Sequence, residues 1–317
     1  MKTIDIPIVL VQLGSPSRYL KANLKYLGET FPYEKKVMIT DLKNYQWIED
    51  YGFRVVHVDE LAISWPNNFE INDRRKYFRD NFWFLTKARL ILLSHFMLQT
   101  STPRLLHFEN DVWVNPRFPF EYFDSLDAPL AYPRVDDFRG IASVLYVNGA
   151  EGIDILEYAC NKWSNMTDME ILGKLMDENE RVLMLDSYDR RANESGHWVF
   201  DAAKMGMYLF GADPRNSWGL IRRFKRSPMG ALEYGDEIRL EKDILSIGKE
   251  KSWKEIANLH VHSKNRKVFS VHWKKSIRLQ LEKEKKGYSR EFKLASFLFK
   301  LNEFSVFAIR KVFDWRD

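Results

Sequence analysis

Apolar positions along the chain follow two rhythms. Short continuous runs at residues 8–13 (IVLVQL), 36–40 (KVMIT), 53–58 (FRVVHV) and 104–108 (RLLHF) each stop at a turn residue or an acid, the pattern of strands buried on both faces. Between them lie longer stretches with helical spacing. Residues 18–29 carry Tyr19, Leu20, Leu24 and Leu27, and residues 80–98 carry Phe84, Ala88, Ile91, Leu92 and His95. Pro103 ends the second. Further strands are predicted at 128–132, 143–148, 182–185 and 257–262, and further helices at 152–166 and 168–179. Residues 197–211 (HWVFDAAKMGMYLFG) read as a helix ended by glycine, followed by a turn at 213–216. The predicted class is α/β: a mixed, mainly parallel sheet flanked by helices.

The last segment differs. Residues 290–312 place Leu294, Phe297, Leu298, Leu301, Phe304, Ala308 and Val312 on one side of a helix and Lys293, Ser296, Lys300, Glu303 and Arg310 on the other. Residues 271–317 hold 12 Lys+Arg against 6 Asp+Glu, so the net charge of +5 resides in this tail and the preceding 270 residues are near neutral. Nucleic-acid binding by the main domain is not expected. A basic amphipathic helix of this kind lies on an anionic membrane surface, docks on its own domain or pairs with a second copy in a homodimer. Residues 1–270 are expected to form one domain, with a nucleotide-binding half at about 1–115 and an acceptor-binding half at 116–270.

With 317 residues, 45% of them hydrophobic, the chain is long enough for a large core. Its lone cysteine, Cys160, fits a reducing compartment. No run approaches the roughly 20 apolar residues that span a bilayer, and a cytoplasmic protein is expected, peripheral on the inner membrane face if the tail binds lipid. The sequons at Asn165 and Asn193 carry no meaning there.

The chemistry concentrates in LLHFENDVWVNP, residues 105–116. A buried strand delivers Glu109 and Asp111, which alternation points the same way. Two carboxylates at the carboxyl end of a parallel strand stand where open α/β sheets bind ligands. Hard oxygen donors of this kind suit Mg²⁺ or Mn²⁺ completed by water and substrate phosphates.

This segment resembles the Asp-X-Asp signature of GT-A glycosyltransferases, in a Glu-X-Asp variant. The resemblance covers roughly residues 5–265 and implies a GT-A, Rossmann-like sheet. It implies a nucleotide-diphosphate sugar as donor, with Mn²⁺ or Mg²⁺ bridging its phosphates, and a glycan or lipid-linked glycan as acceptor, with surface polysaccharide synthesis the role expected. It also implies a late histidine as third ligand and a lysine on the diphosphate. LHVHSK, residues 259–264, supplies both: His262, next to the strand end, is the first choice over His260, and Lys264 follows. In VQLGSPSRY the resemblance assigns Gln12, Gly14 and Ser15 to the base and ribose, with Asp41 and Asp59 at the next strand ends. A basic residue on the helix before the acidic strand is expected to reach the donor phosphates, Arg89 or Lys87. Asp168, Glu170 and Asp201 are the candidate bases for an acceptor hydroxyl, although Asp168 also fits a helix cap. The D-A-A-x-x-G-x-Y-L-x-G pattern around Asp201 is similar to one in some bacterial glycosyltransferase-like proteins. Two departures stand out: Glu109 replaces the first Asp, and no Glu-Asp pair marks the base of the common inverting families. Sugar-phosphate nucleotidyltransferases are the rival enzyme class, but their Gly-rich N-terminal loop is missing. A non-catalytic, membrane-associated nucleotide-sugar-binding protein is the other alternative.

Overall fold

Alternation along β1 (Ile8–Gln12) sends Ile8 and Leu10 to one side and Val9 and Val11 to the other, and both sides are buried. That requires layers above and below, which the computed structural model shows. It describes residues 6–65, 81–188, 196–211, 232, 236–249, 252–262, 267–270 and 272–285. The expected turn at 213–216, Lys264 and the helix at 290–312 lie outside them.

The chain continues through α1 (Leu20–Thr30), β2 (Lys36–Thr40), α2 (Gln46–Glu49) and β3 (Arg54–His57) to α3 (Phe82–Thr100). There follow β4 (Arg104–Phe108), β5 (Val112–Val114), α4 (Phe120–Asp124), β6 (Leu130–Pro133) and β7 (Val144–Asn148). Next come α5 (Gly149–Lys162), α6 (Asp168–Glu178), β8 (Val182–Leu185), β9 (Trp198–Val199) and α7 (Lys204–Phe210). The described part closes with β10 (Glu237–Glu241), β11 (Ile244–Lys249), β12 (Ser252–Ile256), β13 (Asn258–His260) and α8 (Trp273–Lys285).

The main sheet has seven strands in the order β3-β2-β1-β4-β7-β6-β8. β7 runs antiparallel to both neighbours, β4 and β6, and the other pairs are parallel. This is the mixed, mainly parallel sheet flanked by helices that the apolar runs predict. On one face, Val9, Val11, Val37, Ile39, Leu105 and Leu145 pack against α3, α5 and α6. On the other, Ile8, Leu10, Met38, Leu106 and Phe108 pack with α1, β5, α7 and α8. Trp273 and Ile277, in the first turns of the tail, belong to that second core, and the Trp273 ring lies 4.8 Å from that of Trp113.

Two local expectations change. Residues 197–211 are not one helix: Trp198 and Val199 pair with β12, and α7 starts only at Lys204. The break falls at Asp201, whose carboxylate accepts the free amides of Met205 (3.0 Å) and Gly206 (2.7 Å) at the start of α7. The antiparallel sheet β10-β11-β12 is an addition, its first hairpin closed by Lys242 and Asp243, both with positive φ.

Candidate active site

The order of strands reverses at β1, between β2 and β4, and such a switch point opens a crevice at the carboxyl ends of parallel strands. Asn110 spans it, donating from Nδ2 to the Val11 carbonyl (2.9 Å) and to Gln12 Oε1 (3.0 Å). Gln12 Nε2 in turn donates to the carbonyls of Leu13 and Gly14. Gly14 has φ +66°, a region where a side chain is strained, and its amide donates to both oxygens of Asp41. Gln12, Gly14 and Asp41 are thus tied into one loop system. Ser15 is exposed beside it. Asp59 lies in a short 3₁₀ turn next to His57, its side chain largely in solvent.

Beyond β4 the chain turns tightly, with the Val112 amide donating to the Glu109 carbonyl (3.0 Å). It continues as β5, which leaves the sheet and pairs with β13 in a two-stranded antiparallel ribbon. Asn23 and Tyr26 of α1 hold this segment by its carbonyls at Asn110, Val112 and Val114. Asn115 fastens the far end to Ile256 and Ala257. The register sets His260 opposite Val112, and the Val261 amide donates to the Asp111 carbonyl (2.8 Å).

That register brings His260 to the two carboxylates. Its Nε2 is 3.4 Å from Glu109 Oε2 and 3.3 Å from Asp111 Oδ1. One donor atom from each of Glu109, Asp111 and His260 falls within 4.8 Å of the others, and this is the one such trio among the described residues. His262, the sequence's first choice, stacks its ring on that of His260, centroids 3.9 Å apart. It extends the same wall but does not join the trio.

The trio fits a divalent cation. Glu109 Oε2 is buried with no hydrogen-bond partner. The Ala202 carbonyl can only accept, so the His260 Nδ1 at 2.8 Å carries a proton, and Nε2 faces the two carboxylates. Lone pairs at such distances repel unless a cation or proton stands between them. Two carboxylates and one imidazole nitrogen make a donor set for a divalent metal ion.

Arg89, from α3, closes the cluster from behind. Its two terminal nitrogens divide between Glu109 Oε1 and Asp168 Oδ2, each at 2.7 Å. Thr86 donates to the other Asp168 oxygen (3.0 Å). Burial pushes the Asp168 carboxyl above its ordinary value, and the Arg89 guanidinium works against that. Arg89 thus shares one guanidinium between Glu109, a member of the trio, and Asp168.

The remaining candidates have structural partners. Lys87 is buried and donates to the Ser164 carbonyl. Glu170 forms a capping box with Thr167, the residue that caps α6. Asp201 is fully buried, its carboxylate also accepting the His260 amide (2.9 Å). Sequence reasoning missed the Arg89–Asp168 link, which joins residues 79 apart, and no local signal marks it.

No protein-family model and no curated protein matches the chain. Among solved structures the chain is similar to the glycosyltransferase GlyE of Streptococcus pneumoniae TIGR4, at 16% identity and TM-score 0.38, over 57% of this chain and 45% of that one. It is similar to an active-site mutant of LgtC at 15% and 0.43, over 72% and 84%. It is also similar to a glycosyltransferase involved in glycosylation of the major capsid of PBCV-1, at 13% and 0.35, over 57% and 81%. The chain therefore spans less than half of GlyE.

Proposed function

We propose that this chain moves a sugar from a nucleotide-diphosphate sugar to a glycan or lipid-linked glycan acceptor, with Mn²⁺ or Mg²⁺ held by Glu109, Asp111 and His260. The observation that carries this is the trio itself: two carboxylates and an imidazole, within 4.8 Å, beside the switch point of a mainly parallel sheet. The cation would neutralise the diphosphate and act as a Lewis acid toward the departing nucleoside diphosphate. Gln12, Gly14 and Asp41 shape the loop on which base and ribose rest. Arg89 holds one Glu109 oxygen, which leaves the other for the cation, and Asp168 holds Arg89. Asp168 thus acts through Arg89 rather than as a base. His262 widens the imidazole wall, and Lys264, two residues on, is placed in sequence to meet phosphate.

For the acceptor, the basic tail is the supporting feature. We assign it to the inner face of a bacterial membrane and the product to a surface polysaccharide, a reading that rests on its charge.

Incubation with a panel of UDP- and GDP-sugars, in Mn²⁺ or in EDTA, tests the proposal through released nucleoside diphosphate. Release with one sugar in Mn²⁺ only, lost in Glu109→Gln, is expected. Release unchanged by EDTA and by Glu109→Gln would refute it, and nucleotide-sugar binding without release would move the chain to the non-catalytic class.

A further inference from the structure

The segment D-A-A-x-x-G, residues 201–206, carries three unusual features that converge on one residue. The Asp201 carboxylate is fully buried and turned toward backbone amides. Oδ2 accepts the His260 amide at 2.9 Å and the Gly206 amide at 2.7 Å, and Oδ1 accepts the Met205 amide at 3.0 Å. The carbonyl of the next residue, Ala202, takes the His260 Nδ1 proton at 2.8 Å. At Gly206, a Cβ would come within 2.0 Å of the His260 carbonyl oxygen, so only glycine lets α7 lie this close to β13.

Other bonds hold this assembly in place. Asn258 exchanges hydrogen bonds with the Asp201 backbone, at 3.1 Å each way, and Ser143 of the loop before β7 donates to the Asp201 carbonyl at 3.0 Å. The result is a clamp on the His260 amide and on the ring nitrogen that faces away from the carboxylates. An imidazole free to spin about χ1 and χ2 would sample many directions, and an imidazole with Nδ1–H anchored presents Nε2 in one.

We infer that Asp201, Ala202 and Gly206 are positioning residues, whose role is to fix the tautomer and direction of His260 as a metal ligand. This rests on the metal reading above and adds to it a function for the D-A-A-x-x-G motif. A carboxylate committed to three amides is not available as a base. It is instead a fixed negative charge on a helix start and a strand edge, 2.9 Å from the backbone of the ligand it aims.

The test loads the full chain with Mn²⁺ alone. It reads affinity by electron paramagnetic resonance titration, and the ¹⁴N coupling of the bound imidazole by electron spin echo modulation. Three variants are compared with wild type, at a temperature where each keeps the wild-type circular dichroism spectrum: Asp201→Asn, Gly206→Ala and Leu209→Ala. Leu209 is buried in the same helix and controls for destabilisation. Removing the group that orients a ligating histidine weakens metal binding roughly 10- to 100-fold. Asp201→Asn and Gly206→Ala should each weaken Mn²⁺ by tenfold or more and change the ¹⁴N coupling. Leu209→Ala should melt earlier with wild-type affinity and coupling. Wild-type affinity and coupling in Asp201→Asn, or in Gly206→Ala should the first not fold, would overturn the clamp while leaving the metal site standing. Equal weakening by Leu209→Ala would overturn it too. A wild-type chain with no ¹⁴N coupling would remove the metal site, and the clamp with it.

Discussion

Replacing Arg89 by methionine keeps most of the side-chain volume and removes the guanidinium that Glu109 and Asp168 share. Arg89 is 7% exposed and Asp168 3%. Breaking such a buried pair by deleting one partner typically costs about 3–5 kcal/mol, because the other charge stays desolvated and unpaired. A chain of 317 residues has an unfolding entropy on the order of 0.7 kcal/mol per kelvin at its midpoint, so that loss corresponds to a Tm lower by roughly 4–8 °C. Differential scanning calorimetry in EDTA measures it. The double variant R89M/D168N separates the pair from the packing. The double variant should cost less than the sum of the two single variants, with a coupling of about 1–3 kcal/mol. Added Mn²⁺ should raise the Tm of Arg89→Met more than that of wild type, because Glu109 and Asp168 then lack the guanidinium they share. An Arg89→Met protein melting within about 1 °C of wild type in EDTA, or strictly additive variants, would refute the reasoning.

Two further outcomes follow from other parts of the core. Burial pulls the Lys87 ammonium down to about 8 from its ordinary 10.5. Between those values the unfolded chain keeps a proton that the folded chain has released, so this group makes stability rise with pH. The Tm of wild type relative to Lys87→Met should therefore climb between about pH 8 and 10, and parallel curves would show that Lys87 is not desolvated. Trp273, nearly buried and 4.8 Å from Trp113, ties the start of the tail to the domain. Trp273→Ala should cost about 3–5 kcal/mol, and a thermal scan with no shift would detach the tail from this core.

The strands of the main sheet were legible because burial on both faces leaves continuous apolar runs, as at 8–12 and 104–108. The acids at 109 and 111 were legible because spacing along an extended chain is local. The partner histidine was not. The sequence offers two on one face, and the choice depends on the register of β13 against β5, strands more than 140 residues apart. The same holds for Asp168, which reads as a helix opener but reaches Arg89 across the helical layer. The β10–β11 hairpin escaped because its turn is Lys242-Asp243, at φ +44° and +71°, rather than the Asn-Gly that advertises such a turn. The helix predicted at 197–211 reflected apolar content, and what divides it is the side chain of Asp201, bonded to amides four and five residues on and to one in β13.

The central claim is that Glu109, Asp111 and His260 hold a cation that holds a nucleoside diphosphate. Calorimetric titration of UDP and of GDP, each with and without Mn²⁺, on wild type and Asp111→Ala tests it most directly. The account predicts that one of the two nucleotides binds wild type only in Mn²⁺ and does not bind the variant. Binding of neither nucleotide, or binding indifferent to both Mn²⁺ and Asp111, would contradict it.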